Sequence, residues 1–246
     1  MKKVNLVLSG GGARGVIHLG VYKYLKDNDY EIVQVAGTSA GSLVGCLIAA
    51  GCSPQEILKL MTSPEIKNFM KASPWRRMSL FNLRGLRKLL LRIIPHNSFE
   101  GLTIPLTVCS TNLNTKKAHY LRSGDLVKSV IASCSIPIVF EPQYIDGELY
   151  ADGGLTDNLP VKGLIKNDYP VIAVNVNNYR LNPLKRMGDI AERIVNIAVA
   201  NTVEYGLEHA DYVINPSLYG VFPTLDLKSA KELVIIGYDE ADEQLG

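Results

Sequence analysis

The apolar positions of the first forty residues fall into two short runs, each ending in a glycine-bearing turn and each followed by a helical pattern. Val4-Asn5-Leu6-Val7-Leu8 is a strand-length run that meets Ser9-Gly10-Gly11-Gly12-Ala13-Arg14-Gly15. Val16, Leu19, Tyr22 and Leu25 then recur at the spacing of one helix face. Ile32-Val33-Gln34-Val35-Ala36 is a second strand-like run, closed by Gly37-Thr38-Ser39-Ala40-Gly41, and a helix of small and apolar residues starts at once. Strand, helix, strand, helix in this order predicts two strands of a parallel sheet with their turns side by side.

The rest of the chain continues the alternation. Ser53-Pro54-Gln55-Glu56 has serine and proline where a helix start wants its N-cap and first helical residue. Leu86, Leu89, Leu90, Ile93 and Ile94 make one helical face, and Arg84, Lys88 and Arg92 line another. Residues 106–110 and 118–121 read as strands joined by a polar turn, and 125–132 as a helix. Residues 144–150 predict a hairpin with Asp146-Gly147 at its turn, delivering the chain to Asp152-Gly153-Gly154. A buried strand at 171–176, one long helix at 187–207, a short strand at 212–214 and a terminal helix at 227–245 complete the pattern. In that last helix Leu227, Ala230, Val234 and Ala241 are expected to face inward. Without an internal repeat, low-complexity tract or linker, residues 1–246 are expected to form one domain.

A serine in Gly-x-Ser-x-Gly between strand and helix is the pattern of a nucleophile elbow. Its flanking glycines, Gly37 and Gly41, permit the sharp turn, and its hydroxyl meets the positive end of the next helix. The run Gly10-Gly11-Gly12 can bring successive N–H groups to one point, as a tetrahedral intermediate on Ser39 requires. Gly10-x-Gly12-x-x-Gly15 also fits a dinucleotide fingerprint, but the acid that should close the second strand is missing. Glu31 stands at that strand's start instead. Arg14 in a first helical turn opposes the helix dipole, which suggests a role in bracing the loop or meeting phosphate. His18 reads as a packing residue, and His96 and His119 receive no role. Ser39…Asp152…His209 follows the chain order of an α/β-hydrolase triad, but only two strands precede Ser39, and His209 ends a helical pattern.

Composition narrows the field. The net charge of +2 disfavours a nucleic-acid binder driven by bulk charge, and 47% hydrophobic residues can fill a sizeable core. Cys46, Cys52, Cys109 and Cys134 have no ligand-type spacing, so reduced core thiols are expected and no metal is implied. The apolar run after Met1-Lys2-Lys3 is too short for a signal peptide, and no run reaches membrane-spanning length, so a cytoplasmic protein is expected. Residues 59–92 carry nine basic residues and one acid, Glu65. This segment, extended to residue 94, reads as a cap helix with a solvated basic face, a mobile lid, a dimer surface, or a dock on anionic lipid headgroups anchored by Trp75 and Phe81.

The pair Gly-Gly-Gly-Ala-Arg-Gly and Gly-Thr-Ser-Ala-Gly resembles the patatin-like phospholipase family. The Asp152-Gly153-Gly154 and Ala132-Ser133-Cys134-Ser135-Ile136-Pro137 blocks follow in that family's order. The resemblance implies a three-layer α/β/α sandwich with a central, mostly parallel sheet. It also implies a serine–aspartate dyad, in which Ser39 attacks an ester carbonyl and Asp152 takes its proton, without histidine or cofactor. The N–H groups of Gly11 and Gly12, with Gly10 and Arg14 close by, would hold the oxyanion, and Gly153 and Gly154 support the aspartate turn. The implied activity is that of a phospholipase A or lysophospholipase acting through an acyl-enzyme. Two alternatives stay open: an esterase or thioesterase on soluble acyl substrates, and a non-catalytic lipid-binding module.

Overall fold

A computed structural model describes residues 1–63, 83–178, 187–218 and 228–246. Trp75, Phe81, Leu227 and four of the nine basic residues of the 59–92 segment lie outside the described residues. The strands are β1 (Lys2–Leu8), β2 (Tyr30–Thr38), β3 (Leu106–Asn112), β4 (Lys117–Leu121), β5 (Gln143–Ile145), β6 (Glu148–Asp152), β7 (Val171–Val174) and β8 (Tyr212–Ile214). The described helices are α1 (Ile17–Asp27), α2 (Ala40–Ala49), α3 (Pro54–Met61), α4 (Arg84–Ile93), α5 (Leu126–Ser133), α6 (Met187–Ala200), α7 (Glu204–Glu208) and α8 (Ala230–Leu245).

Hydrogen-bonded neighbours across the sheet run β5-β6-β3-β2-β1-β7-β8, with β4 also paired to β3. Strands β3, β2, β1, β7 and β8 are mutually parallel, and β4, β5 and β6 add antiparallel pairs at one side. Side chains alternate along β1: Val4, Leu6 and Leu8 enter the larger core, while Val7 joins Ala36, Leu159, Ala173 and Val203 in a smaller one on the opposite face. Both faces of the central strands are therefore covered, which is why Val4–Leu8 of β1 and all of β7 read as nearly continuous apolar runs. The chain leaves β1 for β2 and β3 on one side and returns to β7 on the other. In a doubly wound sheet the carboxyl ends at such a reversal form the natural crevice for a ligand.

On the larger core, α1 and α8 cross at close range. A Cβ on Gly20 would stand 2.0 Å from the Val234 carbonyl oxygen, so only glycine permits this separation. The terminal helix buries Ala230, Leu233, Gly237 and Ala241, with Val234 only partly buried at the crossing. In α4 the expected amphipathicity is present: Leu86, Leu89 and Leu90 are buried, and Arg84, Arg87, Lys88 and Arg92 are exposed.

The expected long helix at 187–207 is two helices. It breaks because the Thr202 hydroxyl turns to other partners, bonding the carbonyls of Val199 (2.9 Å) and Gly154 (3.1 Å) and accepting the Asn158 N–H (3.1 Å). Helix α1 is likewise preceded by a tight 3₁₀ turn over Gly12–Val16, where the pattern had suggested helix from Val16. The hairpin turn is as expected, with Asp146 (φ 49°) and Gly147 (φ 82°) both left-handed. No helix among the described residues is long and apolar enough to cross a membrane.

Candidate active site

Strand β3 brings the two ends of the site together. Because β4 occupies residues 108–112 along one edge of β3, both β2 and β6 must share the other edge. On that edge Thr38 pairs with Cys109, and Asp152 pairs with the next residue, Ser110. The last residue of β2 and the last residue of β6 therefore meet almost end to end. Ser39, one position beyond β2, arrives beside a carboxylate more than a hundred residues downstream.

Ser39 sits at φ 51°, ψ −122°, an unfavourable conformation for any residue with a Cβ. Its neighbours hold it there. Its N–H donates to Ser133 Oγ (2.8 Å), which in turn donates to the Cys109 carbonyl (2.6 Å). Its carbonyl accepts from Ser42 Oγ (2.7 Å), the Leu43 N–H (3.1 Å) and Cys134 Sγ (3.3 Å). The backbone is thus fixed on both sides, and the hydroxyl is left to face the cleft. Gly41 is required two residues on, because a Cβ there would lie 2.2 Å from the Leu8 carbonyl oxygen where α2 crosses β1. Gly37 packs against that same Gly41.

Asp152 is buried and accepts the Gly154 N–H on Oδ1 at 2.8 Å. Its own backbone is pinned by Ser135 and Thr111, and Gly153 lies against the Cys109 carbonyl. Burial pushes its carboxyl up from 3.8 to about 6, because desolvation penalises the charged form. The Ser39 hydroxyl and the Gly154 N–H act in the opposite direction and favour the carboxylate. Oδ2 is buried with no hydrogen-bond partner among the described residues, although the Ser39 hydroxyl lies near enough to favour its ionised form. Such loose geometry is common before substrate binds.

Between these two residues and the glycine turn lies a small cleft of about 50 Å³, walled by Gly10, Gly11, Gly12, Arg14, Asn158 and Asn177, with Ile136, Pro137, Leu155, Asn196 and Val199 at its sides. The four amides expected around it divide into two pairs. Gly10 N–H is committed to Asn158, through its Oδ1 (3.1 Å) and carbonyl (3.3 Å), and Arg14 N–H to the Gly11 carbonyl (3.3 Å). Gly11 and Gly12 N–H have no partner among the described residues, which narrows the donor set to these two.

Two asparagines that the sequence pattern did not single out hold this loop. Asn177 Nδ2 donates to the Gly10 carbonyl at 2.7 Å, and its Oδ1 accepts from Arg14 Nη2 at 3.3 Å. Arg14 Nε also donates to the Val176 carbonyl (3.2 Å), so this buried guanidinium braces the glycine turn against the end of β7. A trans peptide points its C=O and N–H in opposite directions, so anchoring the Gly10 carbonyl also fixes the direction of the Gly11 N–H. The one signal in the sequence was the run Asn175-Val176-Asn177-Asn178, placed where a parallel strand delivers its carboxyl end.

The histidines stand elsewhere. His209 is exposed beyond α7, its Nδ1 donating to the Tyr205 carbonyl (2.9 Å) and its ring stacked on Tyr205, and it does not line the cleft. His18 is fully buried, donates from Nε2 to the Ser9 carbonyl (2.8 Å), and is lowered by desolvation to about 4, so it stays neutral. Its Nδ1 has no partner among the described residues, unlike the satisfied packing residue expected. His119 pairs with Tyr150 on the sheet, and His96 caps a turn at Ser98. All four cysteines are free, and burial pushes the Cys134 thiol beside Ser39 well up, which disfavours a thiolate there.

The chain is 34% identical over 189 residues to an uncharacterized NTE family protein of Mycobacterium tuberculosis, covering 74% of this chain and 51% of that protein. It is 29% identical over 286 residues to lysophospholipase NTE1 of Debaryomyces hansenii, covering 99% of this chain and 18% of that protein. The chain thus spans about half the length of the first relative and under a fifth of the second. Among solved structures, VipD from Legionella pneumophila matches with a TM-score of 0.62 at 15% identity, over 98% of this chain and 66% of that one. That likeness is one of fold, and it agrees with the mostly parallel sheet and its flanking helices. The family model described as patatin-like phospholipase matches residues 6–165, which contain both turns and the Asp-Gly-Gly block. This chain belongs to the patatin-like phospholipase family.

Proposed function

We propose that this protein hydrolyses carboxylic esters of lipids, of the phospholipase A or lysophospholipase type, through an acyl-enzyme on Ser39 with Asp152 as its base. The observation that carries this reading is the register on β3, which sets Ser39 and Asp152 over one cleft, with the Gly11 and Gly12 N–H groups unpaired among the described residues. Family membership and the lysophospholipase relatives support a lipid ester as the substrate.

Ser39 Oγ attacks the ester carbonyl carbon while Asp152 Oδ2 takes its proton. The carbonyl oxygen becomes an oxyanion facing the Gly11 and Gly12 amides, whose positions are set before substrate arrives. The intermediate collapses, the C–O bond breaks, and the departing alcohol takes the proton from Asp152. Water then attacks the acyl-serine as Asp152 accepts its proton. The fatty acid leaves, and the proton returns to Ser39. A base at about 6 suits this cycle, since it is ionised at neutral pH yet basic enough to share a serine proton. The test is fatty-acid release from lysophosphatidylcholine and from phosphatidylcholine by the unmutated protein, Ser39→Ala and Asp152→Asn. The reading requires release only by the unmutated protein; equal release by Ser39→Ala refutes it.

A further inference from the structure

A second cavity, of about 320 Å³, opens where α4 and strand β5 both pack against α5. Its walls share no residue with the Ser39 cleft, and its size is that of a pocket for a small molecule. Three cations converge on it from two helices: Arg84 and Arg87 of α4, and Lys128 of α5. Residues 141–144 form the remaining wall and contribute one carboxylate, Glu141. The lining side chains therefore carry a formal charge of +2.

Local structure gives no reason for this charge. Arg84 and Arg87 are three residues apart, so they stand on the same side of α4 and repel each other. Both lie near the start of that helix, where cations oppose the dipole, and its first turn holds no acid to offset them. Lys128 comes from a different helix, and neither it nor Arg87 forms an ion pair among the described residues. Ile131 and Pro142 add apolar wall, and low-dielectric walls focus the field of the charges between them. An anion held between the two helices relieves the repulsion and offers the guanidinium groups a bidentate partner.

We propose that this cavity binds a phosphate monoester, at a site separate from that of ester hydrolysis. A phosphate monoester carries about −1.5 to −2 at neutral pH and so matches the lining, whereas a phosphodiester is singly charged. Soluble glycerol or sugar phosphates share this chemistry with the headgroups of phosphatidic and lysophosphatidic acids. The inference does not depend on Ser39 being the nucleophile.

The test is isothermal titration calorimetry in the Ser39→Ala background, so that no acyl ligand is consumed. Glycerol 3-phosphate should bind, and glycerophosphocholine, a diester with a cationic end, should bind about tenfold more weakly or not at all. A short-chain lysophosphatidic acid tells the two sources apart. Binding tighter than that of glycerol 3-phosphate points to a lipid headgroup and equal binding to a soluble ester, and either result supports the site. Arg87→Gln and Lys128→Gln should each weaken binding by about fivefold or more, since each removes one cation from the lining. Lys88→Gln, exposed on the same helix but outside the lining, should hold it within about twofold. Two separate lining substitutions keep the test decisive if one of them does not fold. The proposal is overturned if glycerol 3-phosphate fails to bind at up to about 10 mM, if glycerophosphocholine binds equally well, or if Lys88→Gln weakens binding as much as the lining variants. Competition between glycerol 3-phosphate and p-nitrophenyl butyrate in the Ser39-intact protein would place the ligand in the catalytic cleft and overturn it as well.

Discussion

Asp152→Asn should make the folded protein more stable at neutral pH while abolishing its hydrolysis. The carboxyl is buried and its ionisation is displaced from 3.8 to about 6, so the folded state resists the charge that catalysis requires. One unit of displacement corresponds to about 1.4 kcal/mol, and two units therefore cost the ionised fold about 3 kcal/mol. The sign follows from the folded value lying above the unfolded one. The fold is unpenalised below pH 3.8, loses stability as pH rises toward 6, and carries the full cost above it. At pH 4 the penalty is about 0.5 kcal/mol, so nearly all of it develops between pH 4 and pH 6.5. Asparagine keeps an oxygen for the Gly154 N–H and has no charge to bury. Thermal unfolding at pH 7.5 should show Tm higher by about 6–12 °C in Asp152→Asn, and the difference should shrink to a degree or two at roughly pH 4. A variant that is less stable at pH 7.5, or whose advantage is the same at both pH values, would refute the claim that a desolvated carboxylate sits at this position.

Asn177→Leu removes the donor to the Gly10 carbonyl and the acceptor for Arg14, so the Gly11 amide loses its fixed direction. The maximal rate should fall by about 10- to 100-fold with little change in KM, and steady-state kinetics showing an unaltered rate would contradict the bracing role. Gly20→Ala forces a methyl against the Val234 carbonyl and should destabilise by at least about 1–3 kcal/mol in urea unfolding, whereas a neutral result would mean that α1 and α8 are not so closely packed. His209→Ala should leave hydrolysis within about twofold, since the ring is stacked in solvent on Tyr205; a loss of a hundredfold or more would bring back a histidine-based triad.

Much of this site was legible because local chemistry constrains it. A serine between glycines at a strand-to-helix turn leaves few other conformations, and the observed Ser39 backbone is the strained one such a turn demands. Asp146-Gly147 likewise specifies its own hairpin. What the pattern did not show depends on contacts distant in sequence. Asn158 and Asn177 are ordinary loop residues until the sheet sets them against Gly10, 148 and 167 positions away. Gly10 N–H was expected to be free and is not, because the side chain that occupies it comes from another segment. The break between α6 and α7 was hidden for the same reason: Thr202 departs from helix to reach Gly154, a partner that periodicity within one segment cannot report.

The measurement closest to the central claim is intact-protein and peptide mass spectrometry after treatment with an alkyl fluorophosphonate, a reagent that captures an activated serine as a stable tetrahedral phosphonate. The account predicts a single adduct on Ser39, no labelling of Ser39→Ala, and labelling that rises with pH through about 6 as Asp152 ionises. An adduct on any other residue, or labelling of Ser39 that persists unchanged in Asp152→Asn, would contradict it.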